Sequence, residues 1–345
     1  MLVIILGAAR VATAVSIETV PVGNPGNGPD PRWVDTLASL GPVDYEYRIG
    51  KYEVTNAQYA EFLNAKAASD PLFLYDFHMG SNLVGGIIRD GVGDSYTYTV
   101  KPNMANKPVN YVSLWNAQRF ANWMHNGQGS GSTETGSYTM GGTLHPPNAP
   151  AAFQRNVGAT WVLPTEHEWY KAAYYDPRTA AEGGPPDDSH YWLYPTRSND
   201  APNKATANSV GDISNPGANV ANYGGGANWN GSSGGNVTTI GSAGPQSVSF
   251  YGTYDQAGNV GEWNRRSTGQ STNGLGGAFI ESGFDDVGFL TAIARNVAPI
   301  SNFGPSVRLE YVGFRLAYVP EPSSLALAVV GFTALGVWRW RTRRE

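Results

Sequence analysis

The chain contains no cysteine among its 345 residues. Disulfide bonds, thiol nucleophiles and thiolate metal ligands are therefore all excluded. Charged residues make up only 15% of the chain, and the formal net charge is −5. Because there is no basic stripe, we expect no nucleic-acid partner. The lysine-containing phosphate loop is also missing.

What the chain has instead is glycine and large aromatic residues, with 43 Gly, 19 Tyr and 10 Trp. This composition is typical of a loop-rich domain whose irregular segments are held by aromatic anchors. Without its two ends the chain keeps about 300 residues, enough for one large domain or two ordinary ones.

The C-terminal end, residues 319–345, has three parts in a fixed order. Pro320, Glu321 and Pro322 precede an apolar run at 325–337, and an arginine-rich tail follows. Residues 323–340 are nearly long enough for a membrane-spanning helix with its arginines on the cytoplasmic side. The alternative is a buried helix of a soluble domain, but the run is apolar on every face rather than along one stripe.

This tail resembles a PEP-CTERM sorting signal. The resemblance implies an exported protein that its C-terminal helix holds in the inner membrane until an exosortase-type protease processes it. The mature protein would then reside at the cell surface or outside the cell. At the other end, residues 1–16 have an apolar start and an Ala12-Thr13-Ala14 site, as in a truncated or misassigned signal peptide, or alternatively an ordinary N-terminal strand.

Three amphipathic helices are predicted in residues 17–318. The first spans 56–67 with Thr55 as its N-cap, the second begins at Ser113, and the third begins at Thr165 with Glu168 completing a capping box. Strands are predicted at 45–54 and 313–318. The glycine-rich stretches 127–142 and 195–244 are predicted to be surface loops.

Six short motifs follow one another in a characteristic order. They lie at residues 47–59, 108–117, 163–173, 254–263, 274–279 and 312–315. Together they resemble the formylglycine-generating enzyme (sulfatase-modifying factor) family. The resemblance implies an irregular α+β fold related to C-type lectins, with little regular secondary structure and with bound calcium.

The segment 254–263 corresponds to a calcium loop of that family. By this resemblance the calcium ligands are the side chains of Asp255 and Glu262 and the carbonyls of Gly258 and Val260, oxygen donors of the kind that calcium prefers. Gly261 stands where the family usually has tryptophan. The alternative is a Gly-Asn hairpin turn with two solvated acids.

A second calcium loop is weaker in this sequence. Asn222 matches its first ligand, but the expected Asp-Gly-aromatic segment is missing and Asn236 is the nearest oxygen donor. The oxidase members of the family bind copper through two cysteines, whose positions fall at or near Val287 and Ala292. Neither side chain is a metal ligand, so we expect no copper and no cysteine-based oxidation.

Other catalytic groups are scattered. The five histidines form no short metal-binding pair, although a facial triad built from distant residues remains open. These histidines are His78, His125, His145, His167 and His190. The acid pairs Asp187/Asp188 and Asp285/Asp286 would suit glycoside hydrolysis only if their spacing were right.

Three functions remain open at this stage. The first is a non-catalytic module that binds calcium and glycan or matrix, with aromatic residues that stack on sugars or anchor loops. Those aromatic residues are Trp192, Trp229, Tyr223 and Tyr251. The others are a cysteine-independent, metal-dependent oxidoreductase and a structural component of an extracellular matrix. Extracellular polysaccharide is the expected partner in the first case.

Overall fold

The computed structural model describes residues 14–33, 39–146, 149–265, 272–280, 290–292 and 304–319. Within these ranges the helices are α1 (Asn56–Lys66), α2 (Phe77–Ser81), α3 (Leu114–His125), α4 (Ala149–Ala152) and α5 (Glu166–Tyr174). The first strands are β1 (Thr19–Val22), β2 (Tyr47–Gly50), β3 (Ile87–Asp90), β4 (Thr97–Val100), β5 (Trp161–Val162) and β6 (Asn203–Lys204). The last are β7 (Val220–Ala221), β8 (Gly261–Arg265), β9 (Thr272–Leu275), β10 (Val312–Gly313) and β11 (Ala317–Tyr318).

The three predicted helices are α1, α3 and α5, and each begins where its capping residue indicates. Thr55 and Thr165 both form complete capping boxes, with Gln58 and Glu168 as the reciprocal partners. Ser113 caps α3 by accepting a hydrogen bond from the Asn116 amide at 3.2 Å. The capping residues therefore predicted correctly where each helix begins.

The predicted apolar faces are also buried. They are formed by Tyr59, Phe62 and Leu63 in α1, by Ala117, Phe120, Trp123 and Met124 in α3, and by Trp169, Ala172 and Ala173 in α5. Phe120 and Phe62 meet edge to face at 5.3 Å, and Phe314 joins them from the C-terminal segment. Aromatic pairs of this kind stabilise beyond the area that they bury.

The described strands form four sheets, of which β3-β4 and β6-β7 are two-stranded. The other two are larger. One has the order β1-β2-β11-β5 and is antiparallel at each pairing, whereas the other has the order β10-β8-β9. In the second sheet β10 runs parallel to β8 and β9 runs antiparallel to it. The first and last described strands therefore lie in one sheet, because β1 and β11 both pair with β2.

The closing strand predicted at 313–318 is wrong as a single strand. The chain forms β10 in one sheet, leaves it, and forms β11 in the other. Arg315 lies between the two strands with its side chain fully buried. A buried guanidinium needs partners on several sides, and the break in the strand lets it reach them.

The glycine-rich stretches are irregular as predicted, but they are not simply surface loops. Tyr138 and Met140 are buried in the first stretch, and Trp229, Asn236 and Val237 are buried in the second. Their backbone turns through many left-handed glycines and asparagines. The polar composition of these stretches predicted that they are exposed to solvent. In the structure their aromatic residues pack in the core and bury parts of both stretches.

No helix in the described part of the chain has the length and apolar character needed to cross a bilayer. The predicted spanning segment 323–340, the sorting residues Pro320, Glu321 and Pro322, and most of the N-terminal segment 1–16 lie outside the described residues. The prediction of a C-terminal transmembrane helix therefore stays a prediction.

Candidate functional site

A buried ion pair joins the predicted calcium loop to the C-terminal segment. Arg315 Nε donates to Glu262 Oε2 at 2.6 Å, and Arg315 Nη2 donates to Glu262 Oε1 at 2.6 Å. Both side chains are fully buried. Trp169 Nε1 donates to the same Oε2 atom at 2.8 Å. Glu262 therefore has a structural partner at each oxygen.

The guanidinium of Arg315 also holds the surrounding backbone. Its Nη1 atom donates to the Gly50 carbonyl at 3.0 Å, and Nη2 donates to the Tyr254 carbonyl at 2.9 Å. One side chain thus ties the end of β2, the loop before β8 and the chain between β10 and β11. Planar donors with fixed directions suit this role better than a lysine ammonium.

Two further carboxylates lie beside this pair. Glu53, which is 2% exposed, accepts hydrogen bonds from the Val260 amide at 3.2 Å and from Asn259 Nδ2 at 3.1 Å. Asp255 is partly buried, and its Oδ2 atom accepts from the Gly241 amide at 2.7 Å. Three carboxylates therefore share the charge of one guanidinium.

The surplus of negative charge changes the acidity of these groups. Burial raises the pKa of Glu53 well above its usual range, and the charges of Asp255 and Glu262 raise it further. Burial also raises the pKa of Asp255, to about 6. The cluster therefore favours either a bound proton or a bound cation.

The turn that carries these groups is tightly coiled. Asp255, Gly258 and Asn259 all have left-handed φ angles, of 59°, 91° and 58°. A side chain on Gly258 would overlap the carbonyl oxygen of Asn222. Asn222 and Gly258 form a parallel bridge, and the Asn259 amide donates to the Asn222 carbonyl at 2.7 Å.

The structure thus brings the residues of both predicted calcium loops to one place. Asn222 Nδ2 donates to the Asn236 carbonyl at 2.9 Å, whereas Asn222 Oδ1 is buried and has no hydrogen-bond partner in the described part of the chain. Across the described ranges, no three histidine or acidic side chains are placed to hold a metal ion. A calcium ion here would take most of its ligands from backbone carbonyls and the Asn222 amide oxygen, with Asp255 as the acidic side chain.

Sequence reasoning missed Glu53 and the role of Arg315. Both lie in the family motifs, at 47–59 and 312–315, but nothing in their spacing pairs them with Glu262. The available sign for Arg315 was that it is a charged residue inside the otherwise apolar stretch 312–319, whereas Glu53 lies among other charged and polar residues and gave no such sign. Such residues are buried only when they are paired.

The cysteine positions of the oxidases carry no reactive group here. Ala292 is fully buried in an apolar cluster, and its carbonyl accepts a hydrogen bond from the Tyr170 hydroxyl at 2.9 Å. The cluster also contains Leu40, Trp169, Ala173, Tyr174, Tyr191 and Leu275. Val287, the other position, lies outside the described residues.

The histidines have separate local partners. Their contacts include Asp76 for His78, Thr160 for His125, Ser306 for His145, the Gly41 amide for His167 and the ring of Tyr175 for His190. Asp187 and Asp188 are exposed, and Asp187 accepts from the Ser189 amide at 3.1 Å. Asp285 and Asp286 lie outside the described residues.

The four aromatic residues proposed for sugar contact each anchor a loop through a polar atom. Trp229 Nε1 donates to the Val237 carbonyl at 2.9 Å, and the Tyr223 hydroxyl donates to the Pro202 carbonyl at 2.7 Å. Trp192 Nε1 donates to Asp176 at 3.1 Å, and the Tyr251 hydroxyl donates to Asn24 at 3.0 Å. Their anchoring role therefore has direct geometric support.

Comparison with solved structures supports the fold. Treponema denticola variable protein 1 matches with a TM-score of 0.50 and 17% identity, over 90% of this chain and 97% of that chain. A structure titled CarF matches with a TM-score of 0.47 and 21% identity, over 88% and 98% of the two chains. PvdO from Pseudomonas aeruginosa matches with a TM-score of 0.37 and 18% identity, over 88% and 91%. Only the first likeness, whose TM-score reaches 0.50, bears on the fold.

Comparison with family models identifies both parts of the chain. The model of the sulfatase-modifying factor enzyme 1-like domain matches residues 39–319, and that of the PEP-CTERM protein-sorting motif matches residues 319–344. No functionally curated protein matches the chain. Since the first model spans most of the sequence, the protein belongs to the sulfatase-modifying factor enzyme 1-like family and carries a C-terminal PEP-CTERM motif for export.

Proposed function

We propose that the domain is a non-catalytic binding module that acts at the cell surface or outside the cell, with extracellular polysaccharide or matrix as its partner. The observation that carries this proposal is the absence of cysteine from the whole sequence, together with the packing of Ala292 in an apolar cluster. The thiol chemistry of the family's oxidases requires two cysteines, and this chain supplies none.

Calcium binding is part of the proposal. The oxygens that would hold the ion are those of Asp255, Gly258, Val260 and Asn222, with Glu262 contributing only through a lone pair that Arg315 leaves available. Two observations support a cation here: the buried Asn222 Oδ1 atom without a hydrogen-bond partner, and the surplus of carboxylates around Arg315. Bound calcium would neutralise charge and stiffen the turn.

The PEP-CTERM motif supplies the route to this location. The exosortase-type protease is the processing partner that such a motif implies. We further propose that residues 323–340 hold the precursor in the inner membrane and that processing removes this anchor. The body of the protein would then remain attached to the envelope or be released into the matrix.

Metal analysis and melting of the purified protein test the proposal. About one equivalent of calcium, a higher melting temperature with calcium and no stoichiometric iron or copper would support it. An array of extracellular polysaccharides then identifies the ligand. Stoichiometric iron or copper together with oxygen consumption would instead establish the oxidoreductase alternative. A gene deletion that changes the matrix without any saccharide binding would establish a structural matrix component.

A further inference from the structure

Two arginines meet beside the segment that leads into α5. Arg155 Nη2 donates to the Leu163 carbonyl at 2.6 Å, and the Arg265 amide donates to the next carbonyl, of Pro164, at 3.1 Å. Arg265 Nη1 donates to Oε1 of Gln154, the neighbour of Arg155, at 2.8 Å. Two guanidinium groups from distant parts of the sequence therefore share one location.

One carboxylate lies beside the two arginines, and it forms an ion pair with one of them. Arg155 contacts both oxygens of the fully buried Glu168 carboxylate, at 2.8 Å and 2.6 Å. Arg265 forms no ion pair with any acidic side chain in the described part of the chain. Burial lowers the pKa of Arg265, and the positive charge of Arg155 lowers it further.

The donors of this pair are not all used. The Nε atoms of Arg155 and Arg265 are both buried, and neither has a hydrogen-bond acceptor among the residues that the structure describes. Each such donor destabilises the folded protein unless an acceptor reaches it. An arginine beside a second arginine, with an unused donor and no ion pair of its own in the described part of the chain, is suited to bind an anionic partner.

An aromatic ring borders the same location. The Tyr45 hydroxyl donates to Glu168 Oε1 at 2.5 Å, and Tyr45 is 44% exposed. The hydrogen bond fixes the hydroxyl end of the ring, and the residue remains partly open to solvent. A fixed, half-exposed tyrosine beside cationic groups offers an apolar face to a sugar ring and charge to an acidic substituent.

We propose that Arg155, Arg265 and Tyr45 form a binding site for an acidic saccharide, with the guanidinium groups on its carboxylate or sulfate group and the tyrosine against its ring. This inference rests on the proposed function and names the ligand class. Guanidinium groups bind such oxyanions through paired hydrogen bonds. The overall charge of −5 argues against long polyanions such as nucleic acid, so a local contact to one sugar is favoured.

Titration calorimetry on the full-length protein in mild detergent tests the site. The ligands are an oligogalacturonate, its neutral methyl ester, a sulfated oligosaccharide and inorganic sulfate. The variant is Arg265→Gln, because replacing Arg155 would leave Glu168 buried without its partner. We expect the dissociation constant for the acidic oligosaccharide to rise about tenfold or more, as for the loss of one charged hydrogen bond.

Two matched arginines serve as controls. Arg89 also lies against tyrosine rings, at 4.4 Å from Tyr96 and 4.9 Å from Tyr75, but it is close to the Asp70 carboxylate at 3.9 Å. Arg89→Gln should leave binding unchanged. Arg48 lines an open cavity of about 350 Å³ between β1 and β2. Lost binding in Arg48→Gln with normal binding in Arg265→Gln would overturn the proposal and move the site to that cavity.

The remaining outcomes separate this inference from the proposed function. Three results together support the site. The methyl ester binds more weakly than the acidic oligosaccharide, added salt weakens binding, and Arg265→Gln weakens binding without lowering the melting temperature. Unchanged binding in Arg265→Gln overturns it, and so does inorganic sulfate binding as tightly as the saccharide. Binding to neutral glycans alone overturns the acidic ligand but leaves the binding module intact.

Discussion

Arg315 and Glu262 form a two-point ion pair at the centre of the molecule, with both Nε–Oε2 and Nη2–Oε1 at 2.6 Å and neither side chain exposed. The pair joins the chain between β10 and β11 to strand β8. Removing water from two charges is unfavourable, so the pair contributes by leaving neither charge unpaired rather than by its attraction alone.

Replacing one partner of this pair should therefore destabilise the fold strongly. We expect Arg315→Met to lower the free energy of unfolding by about 3–5 kcal/mol, since it leaves the Glu262 carboxylate buried without its cation. Adding Glu262→Gln should restore part of the loss, because glutamine is neutral and still accepts from Trp169 Nε1. Chemical denaturation of the single and double variants measures this.

Lys51→Gln is the matched control. Lys51 pairs with Glu18 at 2.8 Å, but both side chains are partly exposed, at 26% and 61%. Its loss should change the free energy of unfolding by less than about 1 kcal/mol. Equal effects of the buried and exposed replacements would contradict the central role of the Arg315–Glu262 pair.

Gly258 should tolerate no side chain. Its φ angle of 91° is unfavourable for alanine, and a methyl group would overlap the Asn222 carbonyl oxygen. We expect Gly258→Ala to destabilise by about 2 kcal/mol or more. Gly217 has an ordinary φ angle and open space where a methyl group would lie, so Gly217→Ala should be near neutral. Thermal melting of both variants decides the point.

Stability should fall in acid through Glu168. Burial would raise the pKa of Glu168, but Arg155, Tyr45 and the Thr165 amide outweigh it and lower that pKa to about 2. Because the folded pKa is below the unfolded value of 4.5, the stabilisation is complete above about pH 4.5 and is lost as the pH falls towards 2.

Comparing the original protein with Glu168→Gln separates the contribution of Glu168 to stability from the contributions of other acidic residues. At neutral pH the variant should be less stable by about 3 kcal/mol, since each pKa unit corresponds to about 1.4 kcal/mol. The difference should shrink between pH 4.5 and pH 2. Unfolding free energies at several pH values measure it, and a difference independent of pH would show that Glu168 acts only through packing.

Calcium should raise the melting temperature through Asp255. We expect Asp255→Asn to keep the hydrogen bond from the Gly241 amide while reducing the calcium-dependent shift, because it removes one negative charge from the proposed site. Asp188→Asn, at an exposed acid, should leave the shift unchanged. If calcium stabilises Asp255→Asn and the original protein equally, the ion binds elsewhere.

Processing of the C-terminus should depend on the Pro-Glu-Pro element. We expect Glu321→Ala to leave unprocessed protein in the membrane fraction, whereas Glu310→Ala, within the domain, should be processed normally. Cell fractionation and the mass of the mature C-terminus measure the outcome. Normal processing of Glu321→Ala would remove the basis for an exosortase as the partner.

Sequence reasoning succeeded where the controlling interactions are short in range. Thr55 and Thr165 begin helices because their capping partners lie three residues away, and these contacts form in any context that permits a helix. It failed for the strand at 313–318, because Arg315 must reach Glu262, which lies 53 residues away in the chain. It also failed for the polar loops, which Trp229 and Tyr138 draw into the core.

The sequence alone determined the family, the export motif and the exclusion of thiol chemistry, because each depends on residue identity and order. Tertiary structure alone decided that Glu53, Asp255, Glu262 and Arg315 share one buried cluster and that Arg155 and Arg265 lie side by side. The physical reason is that charge balance and burial depend on distances across the fold, which spacing along a chain does not encode.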